Sequence, residues 1–214
     1  MPPRKRTASV FEASRLAVLA AGGDDEAFVA YATELLASAD RLAREAAVEA
    51  LVEHPAPEAR RAMIALFDEL SAGGLKADQS AGMRTGIMRY LRRVGDARDE
   101  HVALRACATV EKAFGHDSAR LLRAEGLKWL AEWSPDLFPF IAVEHLDDAP
   151  DEGLGDDEPS NTAFQLLANG GDYLALYQWL MSHPGSSRVP VIFTLFSEAP
   201  APIVRRFVER AVAD

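Results

Sequence analysis

The chain has 214 residues, 49% of them hydrophobic, and a formal net charge of −10 at neutral pH. This apolar content is sufficient for a folded core and excludes a disordered composition. The negative charge opposes nonspecific attraction of the whole molecule to nucleic acid or anionic lipid, although it leaves local basic patches possible. Cys107 is the single cysteine, which excludes an internal disulfide and a zinc site built from cysteines. We therefore expect a protein of the reducing cytoplasm.

The first six residues are basic, with the sequence Met-Pro-Pro-Arg-Lys-Arg. We predict a disordered tail over residues 1–6. No apolar segment typical of a secretion signal follows it. No run in the chain approaches the roughly 18 uninterrupted apolar residues of a transmembrane helix. The sequence therefore predicts neither secretion nor a membrane span.

One pattern recurs along residues 7–214, in which an apolar-periodic helix ends near a leucine, a short polar or Gly/Pro break follows, and a second helix begins. The marker leucines are Leu19, Leu51, Leu91, Leu130, Leu167 and Leu195. Their separations, between 28 and 40 residues, are typical of two-helix repeats. The helices before the breaks are predicted at residues 10–20, 41–53, 80–94, 118–132, 160–168 and 188–197. We predict an all-α fold of about six helical pairs.

Local signals within these helices agree with the pattern. Met83, Ile87, Met88 and Leu91 recur at helical spacing and predict one buried stripe. Asp40 precedes the helix at residues 41–53 and is typical of an N-cap. Because an amphipathic helical pair cannot bury its stripe alone, neighbouring pairs are expected to stack into one continuous core.

Three segments resemble a known family. Residues 40–51, with Arg44-Glu-Ala-Ala47 at their centre, and residues 57–66 resemble the two helices of a HEAT-like repeat, of the kind also found in bacterial proteins related to phycobilin-lyase repeats. Residues 136–146 are similar to the outer helix of such repeats, with Pro139 in the first turns. The resemblance implies a right-handed α-α superhelix, a HEAT-like solenoid, and a bacterial protein. It implies no particular activity.

The main interruption of the helical pattern is an acidic segment at residues 147–159. It holds seven acidic residues and no basic one, which predicts a solvated surface loop. Because helical periodicity resumes after it, we predict an insertion within a single solenoid spanning residues 7–214.

The residue types that serve catalysis or metal binding in other proteins are not arranged here in any recognisable pattern. The five histidines are scattered, without the spacing of a metal site, and the acidic segment lacks the ligand order of a calcium loop. No nucleophile turn or phosphate-binding loop is present. We predict no catalytic residue, no metal and no cofactor, and the sequence favours a noncatalytic protein.

Charge placement is the feature that points to a function. The six helices that precede the breaks carry 11 arginines and lysines against 6 acids. If these helices line the concave side of the solenoid, that side is basic. The predicted binding residues there are Arg84, Arg89, Arg92, Arg93, Arg120 and Arg123.

Two interpretations of these arginines remain open. They bind a partner with an acidic surface or peptide through charge-assisted hydrogen bonds, or they pair with acids of neighbouring repeats and serve only structure and solubility. The first interpretation predicts a noncatalytic protein-interaction scaffold or adaptor that does not bind membranes. The alternative is a nucleic-acid-binding or DNA-repair protein, which the resemblance implies because some HEAT-like proteins are DNA glycosylases.

Overall fold

The computed structural model describes residues 4–113, 116–148 and 157–213. Within these ranges the chain forms twelve α-helices, which confirms the all-α prediction. A short antiparallel pair, β1 (Lys112–Ala113) and β2 (His116–Asp117), was not predicted. The helices are α1 (Arg4–Gly22), α2 (Asp25–Leu36), α3 (Arg41–Glu53), α4 (Arg60–Gly73), α5 (Gly82–Val94), α6 (Glu100–Ala108), α7 (Arg120–Trp133), α8 (Phe138–Glu144), α9 (Ser160–Gly170), α10 (Tyr173–Ser182), α11 (Val189–Phe196) and α12 (Ala201–Ala213).

The breaks in the sequence pattern mark real helix ends. Each marker leucine lies in the last turns of a helix, and these helices are α1, α3, α5, α7, α9 and α11. The predicted cap is also confirmed, because the Asp40 side chain accepts a hydrogen bond from the Leu42 backbone N–H, 3.0 Å away. Local turn chemistry therefore fixes where these helices begin and end.

The chain divides into two compact units, Met1–Trp129 and Leu130–Asp214. In the first unit, α1 packs on α2 and α3, and α3 in turn packs on α5. The second helices of the first two pairs, α2 and α4, are also in contact, and α4 packs on α5. The core of this unit is built from side chains with almost no exposed surface, among them Leu51, Met63, Phe67, Ile87 and Leu91.

The second unit has its own core. Within it, α9 contacts α8, α10 and α11, and α10 contacts α11. Phe164 lies edge-on to Trp179 with ring centroids 5.0 Å apart. Phe196 and Phe207 pack together at 5.3 Å, which attaches α12 to α11. Aromatic packing therefore stabilises this unit.

The two ends of the predicted acidic segment are tied to the second unit. Trp179 donates its indole N–H to Asp147 over 2.6 Å. Beyond the segment, Arg188 donates to the Ser160 hydroxyl over 2.6 Å and to the Leu146 carbonyl over 3.4 Å. Residues 149–156 lie outside the described residues, so the prediction of a solvated loop stays a prediction.

One predicted boundary differs from the structure. Helix α1 begins at Arg4, inside the predicted tail of residues 1–6, and residues 1–3 of that tail lie outside the described residues. The division into two units falls near residue 129, within α7. That the whole of residues 7–214 forms one solenoid stays a prediction.

Candidate functional site

Helix α5 positions four of the six predicted arginines. Its apolar stripe is buried, with Met83, Ile87, Met88 and Leu91 all inside the core. The helix carries no acidic residue, so its arginines must find partners on other elements. How far each arginine projects from the core depends on its angle to the stripe.

Arg84 lies in the core. Only 1% of its side chain is exposed, and its guanidinium donates to both carboxylate oxygens of Glu111 over 2.8 and 2.7 Å. It also donates to the Asp78 carboxylate over 3.2 Å. Burial alone lowers the pKa of Arg84, but its hydrogen bonds to Glu111 and Asp78 outweigh burial and raise it. Arg84 is therefore a permanent internal cation.

Asp78 links Arg84 to the start of α5. Its carboxylate accepts the backbone N–H groups of Met83 and Arg84, over 3.3 and 3.1 Å, at the first turn of the helix. Ala81, one of the four residues between Asp78 and Met83, has a left-handed backbone with φ of 52°. Asp78 thus caps the helix and neutralises its buried arginine.

Arg123 and Arg120 lie on α7. Arg123 is also buried, and it donates to the Asp117 carboxylate and, over 2.9 Å, to the Thr109 carbonyl. Arg120 begins α7 and is half-buried. The structure therefore places Arg84 and Arg123 where a partner cannot reach their guanidinium groups.

Arg89 and Arg92 converge on one carboxylate. The side chain of Glu125 is only 6% exposed, and its carboxylate accepts hydrogen bonds from Arg89 over 3.3 Å and from Arg92 over 3.0 Å. Lys128 reaches the same carboxylate over 3.0 Å from one turn further along α7. Half of the Arg89 side chain remains exposed. Three cations from two helices therefore share a single buried acid.

Arg93 extends this group toward α3. It is exposed, and its guanidinium donates to the backbone carbonyls of Val52 and Glu53, the latter over 3.4 Å. We call Arg89, Arg92, Arg93 and Lys128 the basic cluster. Together with Glu125, these five side chains carry a formal charge of +3.

A groove of about 380 Å³ lies between α3 and α5 beside the basic cluster. Arg89 lines one wall, and Glu45, Glu49 and Glu53 recur every four residues along the facing helix. Arg41 pairs with Glu45 over 2.7 Å. Arg89 of α5 therefore faces the three carboxylates of α3 across the groove, which Arg41 of α3 and Asp78 before α5 also line.

Sequence reasoning named Arg89, Arg92 and Arg93 as binding residues, which stays a prediction, and it omitted Glu125 and Lys128 from the site. The signal was available, because Glu125 and Lys128 are three residues apart and face the same side of a helix. What the spacing did not reveal is that Arg89 and Arg92, more than 30 positions earlier, reach the same carboxylate.

The electrostatics of Glu125 predict a pH dependence. Its burial raises the pKa, but hydrogen bonds from Lys128 and Arg92 and the charge of Arg89 outweigh burial, so the pKa is lowered from 4.5. A carboxyl with a lowered folded-state pKa stabilises the fold above its unfolded pKa, and this stabilisation is lost as pH falls through the folded pKa.

We expect Glu125→Gln to lower the free energy of unfolding at neutral pH by about 2 kcal/mol, since three cations lose their shared acceptor. The difference from the unsubstituted chain should shrink as the pH falls below about 4. Urea unfolding of both proteins at several pH values measures this difference. A difference that is independent of pH would contradict the role of the charge on Glu125.

Among the described residues, no three or more His, Cys, Asp or Glu side chains are grouped so as to hold a metal ion. None of the described helices combines the length and apolarity needed to cross a bilayer. Comparison with protein-family models, with curated proteins and with solved structures finds no match to this chain. The site therefore has to be interpreted from its own geometry.

Proposed function

We propose that the chain is a noncatalytic protein-interaction scaffold, built as a HEAT-like solenoid, that binds an acidic segment of a protein partner at the basic cluster. The observation that carries the proposal is the convergence of Arg89, Arg92 and Lys128 on the single carboxylate of Glu125.

The solenoid part of the proposal is supported by the helix contacts of the first unit. Alternate helices touch in succession, α1 with α3 and α3 with α5, and α2 with α4. This is the arrangement expected when helical pairs stack on their neighbours and each pair contacts only the adjacent ones.

The choice of an acidic partner follows from the surface that the basic cluster exposes. Arg89 is half exposed and Arg93 is exposed, so both present donors to solvent, and a third of the Lys128 side chain is accessible. Arginine donors bind carboxylates in bidentate geometry. Glu125 already orients Arg89 and Lys128, so these side chains lose less freedom when a partner binds.

The neighbouring acids favour a short acidic protein segment over a nucleic acid. Glu49 and Glu53 are exposed on the opposite side of the groove. Duplex DNA carries a charge about every 1.7 Å of its length, so a backbone that runs across both sides would meet repulsion as well as attraction. A short segment can contact the basic cluster alone.

The test is fluorescence anisotropy with a short labelled Glu-rich peptide at low salt. We expect binding that weakens as salt is added, and Arg93→Glu should weaken it about tenfold, because attraction becomes repulsion. Arg61→Glu is the matched control, since Arg61 is an exposed arginine on α4 with no ion pair among the described residues. It should change affinity less than twofold.

Three results would overturn the proposal. One is no binding of the peptide, and another is an equal loss in Arg61→Glu. The third is tighter binding of a DNA duplex, measured in parallel, that Arg93→Glu abolishes, which would favour the nucleic-acid function. Thermal melting of each variant shows whether it is folded.

A further inference from the structure

A second and larger groove lies between α2 and the segment that joins α3 to α4. Its volume is about 760 Å³. Phe28 and Val29 of α2 line it together with Pro55 and Pro57 of the joining segment. Phe28 lies edge-on to His54 with ring centroids 6.1 Å apart. The groove therefore has an apolar floor of preformed shape, which suits an amphipathic segment.

The rim of this groove is acidic. Asp25, Glu26, Glu53 and Glu58 all line it and all are exposed. None of these four carboxylates forms an ion pair with another residue that the structure describes, and no lysine or arginine lines the groove there. Glu53 is the last residue of α3, where the helix dipole disfavours a negative charge. The rim therefore attracts a cationic occupant.

The opposite charge is found on α12, in the second unit. Its Phe207 is buried against Phe196 and Phe193, with ring centroids 5.3 and 5.6 Å apart. With Phe207 facing inward, the arginines of the helix are directed to solvent. Those exposed arginines are Arg205, Arg206 and Arg210.

Two apolar side chains of α12 are also exposed, on either side of the buried Phe207. Ile203 and Val208 keep 42% and 43% of their surface exposed. Arg205 and Arg206 form no ion pair within the part of the chain that the structure describes, and one acid, Glu209, lies between them and Arg210. This helix thus combines cationic and apolar side chains, as an occupant of the acidic, apolar-floored groove requires.

We infer that α12 of one copy of the chain docks into the groove beside α2 of a second copy. The contact joins two different surfaces, so it is heterologous and assembles copies head to tail. Arg206 and Arg210 lie three and seven positions after Ile203, on the same side of α12, so the two arginines meet the carboxylates of the rim and Ile203 adds apolar contact. The contact uses none of the residues of the basic cluster. Glu53 lines both grooves, but the proposed function assigns it no contact with the partner.

Sedimentation velocity of the full chain over a wide concentration range tests this contact. We expect the mean mass to rise with concentration at low salt and to fall again when salt is added. Glu26→Arg in the groove and Arg206→Glu on α12 should each weaken association about tenfold. Combining both reversals in one chain should recover most of the loss, since the pair of charges is exchanged.

Glu34→Arg is the matched control, because Glu34 is an exposed acid on α2 that does not line the groove. It should leave the association unchanged. Thermal melting confirms that the variants are folded. The inference is overturned by a mass that stays that of one chain at all concentrations, or by an equal effect of Glu34→Arg. It is also overturned if Arg93→Glu weakens association while Arg206→Glu does not, since the basic cluster would then be the occupant.

Discussion

Replacing Arg84 by methionine is expected to lower the free energy of unfolding by about 3–5 kcal/mol, the effect of removing one partner from a buried ion pair. Methionine keeps much of the side-chain volume, so the loss is chiefly electrostatic. Two carboxylates, Asp78 and Glu111, lose their shared cation, and Asp78 is only 1% exposed. Among the described residues, no other cation forms an ion pair with either carboxylate.

Chemical denaturation followed by circular dichroism measures this change. Arg98→Met is the control, because the Arg98 side chain is 80% exposed and its pair with Asp96 lies at the surface. That variant should leave the stability nearly unchanged, because exposed ion pairs are screened by solvent and contribute little. Adding Glu111→Gln to Arg84→Met should recover part of the loss, since one uncompensated charge is removed. Equal effects of Arg84→Met and Arg98→Met would contradict the buried network.

The second large effect is expected at Gly126, where α6 and α7 approach closely. A Cβ atom at Gly126 would lie 2.8 Å from the Cys107 sulfur and 3.1 Å from the Ala103 carbonyl oxygen. Both positions are fixed by buried residues of α6. Gly126→Leu must therefore separate the helices, and we expect a loss of about 3 kcal/mol or more.

Gly22→Leu provides the comparison, because Gly22 also lies in a helix, but a Cβ atom there would meet nothing within 4 Å. It should be neutral or slightly stabilising, since leucine is the better helix former. Gly126→Ala should be intermediate. The same denaturation experiment measures the free energy of unfolding of all three variants. If Gly126→Leu is tolerated as well as Gly22→Leu, the helices are not in the close contact described.

Sequence reasoning succeeded where local chemistry decides the structure. The end of α3 at Glu53 and its start after Asp40 follow from a cap and a proline-containing break, both of which act over a few residues. The pair β1–β2 was missed because two-residue strands are too short to show any periodicity.

The arginines show why the site was only partly predicted. Arg84 precedes Ile87, Met88 and Leu91 by three, four and seven positions, so it lies on the buried stripe of α5. Helical spacing therefore indicates an inward direction for Arg84. Arg93, nine positions further on, falls on the opposite face and is exposed.

Partner identity could not be obtained from the same pattern. Arg84 meets Glu111 across 27 positions, and Arg89 meets Glu125 across 36. Such pairs depend on how the helices pack, which single-sequence periodicity does not specify. Arg84 pairs internally, as the structural interpretation of the arginines predicts. For the exposed Arg93 we propose the other interpretation, binding to an acidic partner.

Selection of a random peptide library on the immobilised chain tests the central claim most directly, because it does not presuppose the ligand. We predict that the recovered peptides are enriched in Asp and Glu, and that they bind Arg93→Glu about tenfold more weakly than the unsubstituted chain. Recovery of basic or uncharged peptides, or of acidic peptides whose affinity is the same for Arg93→Glu, would contradict binding of an acidic partner at the basic cluster.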